Sequence, residues 1–203
     1  MFQAIGDSQT DDAPLQVTQF EADIRIAEQL LDVWFEGRGG GNGGESYLLS
    51  WYFADKHTKI DCYDKRGEKG FLFTIGDERC HKILTKAEIK RVFGDLAFRD
   101  YSAEALYEKA SRRYEIFHIV MKAGACKAQN SGEDWKQLIG SRAVELDPND
   151  LDVLPEVFVS LMQAARGMET KAITAQWSGK AADVVAEIIK GIRKEEGEGF
   201  LTF

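Results

Sequence analysis

The chain of 203 residues has only three prolines, three cysteines and three histidines, and no apolar run in it approaches the length of a membrane span. A spanning helix needs about 18 or more apolar residues, so we expect no membrane segment. Cys62, Cys80 and Cys126 form no Cys-x-x-Cys pair, which argues against a zinc ribbon or a disulfide framework. Reduced thiols fit a cytoplasmic protein, and the sequence also lacks the features of a secretory signal.

Basic residues are outnumbered by acidic residues. Lys and Arg number 26 against 34 Asp and Glu, which gives a formal net charge of −8. A dedicated nucleic-acid-binding protein usually presents a basic face, so we expect no nucleic acid among the partners. The acidic balance is compatible with binding cations or basic protein partners.

Glycine, in contrast, is concentrated in one segment. Residues 37–44 contain six glycines, and the oxygen-bearing side chains in and directly after this run are Asn42, Glu45 and Ser46. So many glycines disfavour helix and strand on entropic grounds and predict a loop whose backbone closely approaches another group. A P-loop is disfavoured because Glu45 and Ser46 follow Gly44 where that motif needs Lys and then Ser or Thr.

A second oxygen-rich turn follows the apolar run 71–75, which predicts a buried strand ending at Gly76, Asp77 and Glu78. In an open α/β sheet, ligands bind at the carboxyl ends of the strands. Carboxylate and amide oxygens are the ligands of hard divalent cations. We therefore expect the glycine-rich loop and the acidic turn to lie side by side on one rim, as a cation site or a recognition surface.

Hydrophobic periodicity predicts alternating strands and helices, and hence an α/β fold with a largely parallel sheet flanked by helices. Thr18 with Glu21, and Thr85 with Glu88, have the spacing of capping boxes that open helices. The predicted strands cover 1–5, 70–75, 115–121 and 143–146, and the predicted helices cover 18–36, 47–57, 85–93, 102–113, 131–138, 151–165 and 179–193. His118, inside an apolar strand, is interpreted as a hydrogen-bonded core residue.

Several stretches together carry a resemblance to a known family. They are Gly6-Asp7, Gly39-Gly-Gly-Asn42, Glu45-Ser-Tyr47, Gly70-Phe-Leu-Phe-Thr-Ile-Gly-Asp-Glu78 and Thr85-Lys-Ala-Glu-Ile-Lys-Arg91. In this order they resemble the later two-thirds of a von Willebrand factor A-type domain, of the kind found in uncharacterised bacterial and phage proteins, over about residues 1–165. The resemblance implies a Rossmann-like three-layer sandwich, with residues 1–194 as one domain incomplete at its N-terminus and 195–203 as a flexible tail.

The same resemblance implies a non-enzymatic protein-interaction module with a Mg²⁺ site at the carboxyl edge of the sheet. The metal positions fall near Asn42 and Asp77, and the Asp-x-Ser-x-Ser motif that completes the family's site is absent, so we expect weak Mg²⁺ binding or none. The implied partner-binding residues are Asp7, Asn42, Glu45, Ser46, Asp77 and Glu78. A protein partner is expected, and the broad class suggests a ring-forming AAA+ ATPase of the MoxR type.

Incompleteness at the N-terminus has a further implication. The strands that normally lie between 1–5 and 71–75 would be absent, which would leave two strands with unpaired edges. Because such edges pair with other chains, we predict self-association.

Two alternatives stay open. The chain could be a small metal-dependent α/β hydrolase or nucleotide-binding enzyme that uses Asp7, Asp77 and Glu78 at the sheet edge. It could also be a remnant whose fold needs residues encoded upstream.

Overall fold

The computed structural model describes residues 1–37 and 43–192 of the chain. Its strands form one three-stranded sheet and two short antiparallel pairs. They are β1 (Gln3–Ile5), β2 (Leu15–Val17), β3 (Gly70–Gly76), β4 (Ile83–Leu84), β5 (Tyr101–Ser102), β6 (Tyr114–Met121) and β7 (Ala143–Leu146). The helices are α1 (Arg25–Leu30), α2 (Leu48–Lys56), α3 (Asp61–Arg66), α4 (Lys86–Phe93), α5 (Ala103–Ser111), α6 (Gly124–Gln129), α7 (Ser131–Ile139), α8 (Leu154–Ala165), α9 (Thr170–Thr174) and α10 (Gly179–Ile189).

The three-stranded sheet has the order β3–β6–β7 and is parallel throughout. Phe73 pairs with Phe117 and Ile119 with Val144. β6 lies in the middle and is buried along nearly its whole length, as expected for a parallel strand covered on both faces. The predicted α/β fold with a parallel sheet flanked by helices is therefore confirmed.

Helices cover both faces of this sheet, so the core consists of two apolar clusters, one on each face. One cluster contains Trp51 of α2, Leu106 of α5 and Trp135 of α7. The other contains Val157 of α8 and Val185 of α10, packed with Phe117 and other sheet residues. The layers therefore run helix, sheet, helix.

His118 belongs to the core, as the sequence indicated. Its side chain is fully buried, its Nδ1 lies 2.7 Å from Thr74 Oγ1, and its ring stacks on Trp135 with centroids 3.5 Å apart. Burial lowers the pKa of His118 from 6.5 to about 3, so the imidazole is neutral at physiological pH.

The predicted helix over 18–36 is wrong. Thr18 caps no helix, because its side chain accepts a hydrogen bond from Phe2 N at 2.8 Å. Helix forms only over Arg25–Leu30 and buries none of its residues, and Leu31 and Trp34 remain 86% and 55% exposed. A helical repeat of apolar residues stabilises a helix only when another element covers that face.

The first predicted strand forms, but it belongs to an antiparallel pair and not to the parallel sheet. Residues 3–5 pair with Leu15–Val17 in an antiparallel hairpin and make no ladder with β3, β6 or β7. The chain turns between them through residues 6–14, where Gly6 N donates to Pro14 O at 2.9 Å. The hairpin is therefore a separate two-stranded unit that packs beside the main sheet.

No helix within the described ranges is long and apolar enough to cross a membrane.

The capping box predicted at Thr85 is confirmed, because the Thr85 side chain accepts from Glu88 N while the Glu88 carboxylate accepts from Thr85 N. Replacing Thr85 by Ala removes one of these bonds, and we expect the free energy of unfolding to fall by about 1–2 kcal/mol. Urea denaturation measures the change. Lys86→Ala, an exposed substitution in the same turn, is the control, and equal stabilities for the two variants would contradict the prediction.

Candidate functional site

A cavity of about 490 Å³ separates β1 from β3. Residues of β1 form one wall and residues 71–75 of β3 form the other. One face of α2 and the residues just beyond its ends line a third side, and Leu154 and Phe158 of α8 line a fourth. We call this cavity the strand slot.

Within residues 1–37 and 43–192, no strand lies beside the edge of β3 that faces the strand slot. Among the described strands, β3 pairs only with β6, and on the β6 side Gly70 N donates to Arg113 O at 2.9 Å. Along a strand, backbone groups alternate between the two edges. The N–H and C=O groups of Phe71, Phe73 and Ile75 therefore point into the strand slot.

The facing edge of β1 has the same property. Phe2 accepts from Thr18 N at 3.0 Å and donates to its side chain, so the Phe2 backbone faces β2. By the same alternation, the backbone groups of Gln3 and Ile5 point away from β2, and both residues line the strand slot. Two unpaired strand edges thus lie along one cavity.

Small and apolar side chains complete the walls. Ser50, Ala54 and Thr58 follow one another at helical spacing on the side of α2 that borders the strand slot. On the other face of the sheet, Phe73 packs on Phe158 with ring centroids 4.5 Å apart. Small residues on one side and aromatic rings on the other leave room for a backbone between them.

Two carboxyl or amide oxygens that line the cavity lack partners. Gln3 Oε1 and Glu45 Oε2 are buried atoms with no hydrogen-bond partner among the described residues, and both residues line the strand slot. Leaving a buried acceptor unsatisfied costs about 1–3 kcal/mol.

Glu45 lies at the rim of the sheet, beside the turn that follows β3. Glu45 N donates to Arg79 O at 2.9 Å, and His81 N donates to Glu45 O at 3.3 Å. A Cβ on Gly44 would come within 3.0 Å of the His81 ring, so glycine permits this close approach. The end of the glycine-rich loop and the acidic turn therefore share one rim, as expected, while Asn42 lies outside the described residues.

The rim is strongly acidic around Glu45. The pKa of Glu45 is raised from 4.5 to about 7, mainly by burial and then, in order of size, by the charges of Asp7, Asp11, Glu78 and Asp77. Glu78 Oε2 is, like Glu45 Oε2, buried without a partner. Negative charge is therefore concentrated at the rim end of the strand slot.

Asp7 and Ser46 belong to a buried polar network that joins the loop after β1 to α2 and α4. Asp7 is 2% exposed, and its Oδ1 accepts from Ser46 Oγ at 3.3 Å and lies 3.2 Å from His81 Nε2. Ser8 N donates to Ser46 Oγ at 2.8 Å, and Ser8 Oγ donates to Glu88 Oε1 at 2.6 Å.

This network does not have the order of a nucleophile and its base. A histidine that activates serine lies between the serine and the aspartate, whereas here His81 and Ser46 both contact the same oxygen of Asp7. The network is suited instead to fixing the loop after β1 at the rim.

Asp77 and Glu78 hold α6 and α7 against the end of β3. The Asp77 carboxylate accepts from Ala125 N at 3.1 Å in the first turn of α6, and Ser131 Oγ donates to Asp77 O at 2.6 Å. Trp135 Nε1 donates to Glu78 O at 3.0 Å. Both acidic residues thus have a positioning role at the rim.

Within residues 1–37 and 43–192, no three His, Cys, Asp or Glu side chains are grouped to hold a metal ion. The Asp77 carboxylate is engaged by a backbone amide, and Asn42 lies beyond the described ranges. Mg²⁺ binding by these two residues therefore stays a prediction.

The sequence matches no family model, no curated protein and no solved structure. The likeness to a von Willebrand factor A-type domain therefore stays a prediction. The support for a function comes from the geometry of the site.

The pH dependence of stability tests the environment of Glu45. Folding raises the pKa of Glu45 from its ordinary value of 4.5 to about 7. The contribution of its neutral carboxyl to the free energy of unfolding is therefore fully present below pH 4.5 and is lost as pH rises through about 7. We expect Glu45→Gln to melt at a higher temperature than the unmodified protein at about pH 8, and the gap to shrink towards about pH 5.

Calorimetry over this pH range measures the difference between the two melting temperatures. Glu108→Gln, on the exposed face of α5, removes the same charge and serves as the control. Parallel pH profiles for Glu45→Gln and the unmodified protein would contradict the prediction.

Proposed function

We propose that the protein is a non-enzymatic interaction module that binds an extended segment of a partner protein in the strand slot. The observation that carries the proposal is that two strand edges along one cavity, those of β1 and β3, are unpaired in the part of the chain that the structure describes. Addition of a strand to an exposed edge is a recurrent mode of peptide recognition in which backbone hydrogen bonds supply the affinity.

The directions of the two strands suit a single inserted segment. β1 leads to Asp7 and β3 leads to Asp77, and both residues lie at the rim around Glu45. The two strands therefore run towards the same end of the strand slot. A segment inserted between them would give one continuous sheet in the order β2–β1–segment–β3–β6–β7.

The lining indicates the character of this segment. Residues 71–75 of β3 span about 16 Å at about 3.3 Å per residue, which is the length of a strand rather than of a small metabolite. The side chains around it are mainly aromatic or aliphatic, among them Phe71, Phe73 and Leu154. An extended segment rich in β-branched residues would bury apolar surface on both of its faces.

A single strand fits this cavity better than the folded edge of another domain. The strand slot is walled by a strand on each side and by α2 and α8 on the other two. The self-association predicted from the sequence would require one copy to insert a segment into the other. The AAA+ partner and the Mg²⁺ ion stay predictions, and strand insertion requires neither.

Ile75→Pro tests the proposal. Proline removes the Ile75 N–H, which points into the strand slot, and leaves the ladder with β6 intact, a position where a strand tolerates proline. Ile75 is 39% exposed, so little packing is lost. We expect this variant to bind an N-acetylated, C-amidated peptide, Gln-Val-Thr-Val-Thr-Val-Gln, at least tenfold more weakly than the unmodified protein does.

Ile75→Thr keeps the N–H and is the matched control, and both melting temperatures are compared. Fluorescence polarisation measures affinity, and amide exchange at Phe71, Phe73 and Ile75 reports where the peptide binds. Equal affinities for the two variants, or no binding to any of them, would overturn the proposal. If a dimer forms in which one copy protects these amides of the other from exchange, the strand slot is instead a site of self-association.

A further inference from the structure

We propose that the segment bound in the strand slot carries a lysine or arginine at its rim end, and that this side chain pairs with Glu45. The inference rests on the proposed function and adds the chemistry of the partner. It is carried by the position of Glu45, which lines the strand slot, and by its buried Oε2, which has no hydrogen-bond partner among the described residues.

The Glu45 backbone is fixed in this position. It is hydrogen-bonded on one side to Arg79 O and on the other to His81 N, and it forms a parallel β-bridge with Cys80. The carboxylate is therefore presented at one end of the strand slot by a backbone that two hydrogen bonds anchor. An anchored acceptor loses little conformational entropy on binding, which favours a specific contact.

The charges around Glu45 favour a cation. Four further carboxylates, Asp7, Asp11, Asp77 and Glu78, interact with it electrostatically, and all of them disfavour its ionisation. An ammonium or guanidinium group at this point would reverse that effect and would donate a charge-assisted hydrogen bond to the Glu45 carboxylate.

Within residues 1–37 and 43–192, three basic side chains around the rim are engaged elsewhere. The Arg79 guanidinium contacts Asp134, with Nε 2.8 Å from Oδ2, and also donates to Gln129 O. His81 Nε2 lies 3.2 Å from Asp7 Oδ1. Arg91 donates to the backbone oxygens of Ser8 and Asp11. The complementary charge for Glu45 is thus expected from the partner.

A double-mutant cycle tests the pairing. The probes are the neutral peptide described above and two derivatives in which Lys replaces either the first or the last Gln, because the segment can lie in either direction. At about pH 8, where Glu45 is ionised, we expect one Lys peptide to bind the unmodified protein about tenfold more tightly than the neutral peptide does. The end that carries the preferred Lys gives the direction of the segment.

Glu45→Gln should abolish this preference, so that all three peptides bind this variant with affinities within about twofold of one another. Glu108→Gln, which removes a remote charge, should keep the preference. Equal binding of all three peptides to the unmodified protein would overturn the inference and leave the proposed function intact. A preference that survives Glu45→Gln would also overturn it, while absence of binding by every peptide would overturn both proposals.

Discussion

The constraint on which this structure depends is that backbone N–H and C=O groups away from water need partners. β6 meets it with ladders on both sides, to β3 and β7. In the described part of the chain, β3 has a partner strand on one side only, and β1 pairs only with β2. Both incomplete edges border the same cavity instead of facing away from each other. The molecule thus has an ordinary helix–sheet–helix core and, beside it, a gap with hydrogen-bonding groups on two opposite walls.

The features around this gap form a consistent set. Gln3 Oε1 and Glu45 Oε2 are acceptors without donors, and the α2 wall is built from small side chains at Ser50 and Ala54. The buried Asp7 network and the hydrogen bonds of Glu45 hold the rim end of the gap together. Each feature has a separate physical origin, and together they describe a place for one extended chain with N–H donors and a positive charge at the rim.

Local sequence signals predicted the parts of the fold that depend on local physics. The apolar runs gave the strands near 71–75 and 115–121, and Thr85 with Glu88 gave the start of α4, because burial pattern and capping are encoded within a few residues. The helix over 18–36 failed because periodicity at Ile24, Leu31 and Trp34 does not say whether another element covers them. The rule that ligands bind at the carboxyl ends of parallel strands predicted that Glu45 lies beside the turn after Asp77. The cavity walls depend on which edges stay unpaired, and for Gln3 and Ser50 no local signal existed.

Tyr47 connects the gap to the aromatic core. It borders the cavity, and its ring meets the rings of Trp135 and His118 edge-on at centroid distances of 5.2 and 5.0 Å. The indole of Trp135 is in turn stacked on the neutral imidazole of His118. A change in the tilt of the phenol ring would alter the surroundings of a chromophore in the protein interior. Trp135 is consequently an intrinsic spectroscopic probe of binding in the cavity, through near-ultraviolet circular dichroism and tryptophan emission, and no attached dye is needed.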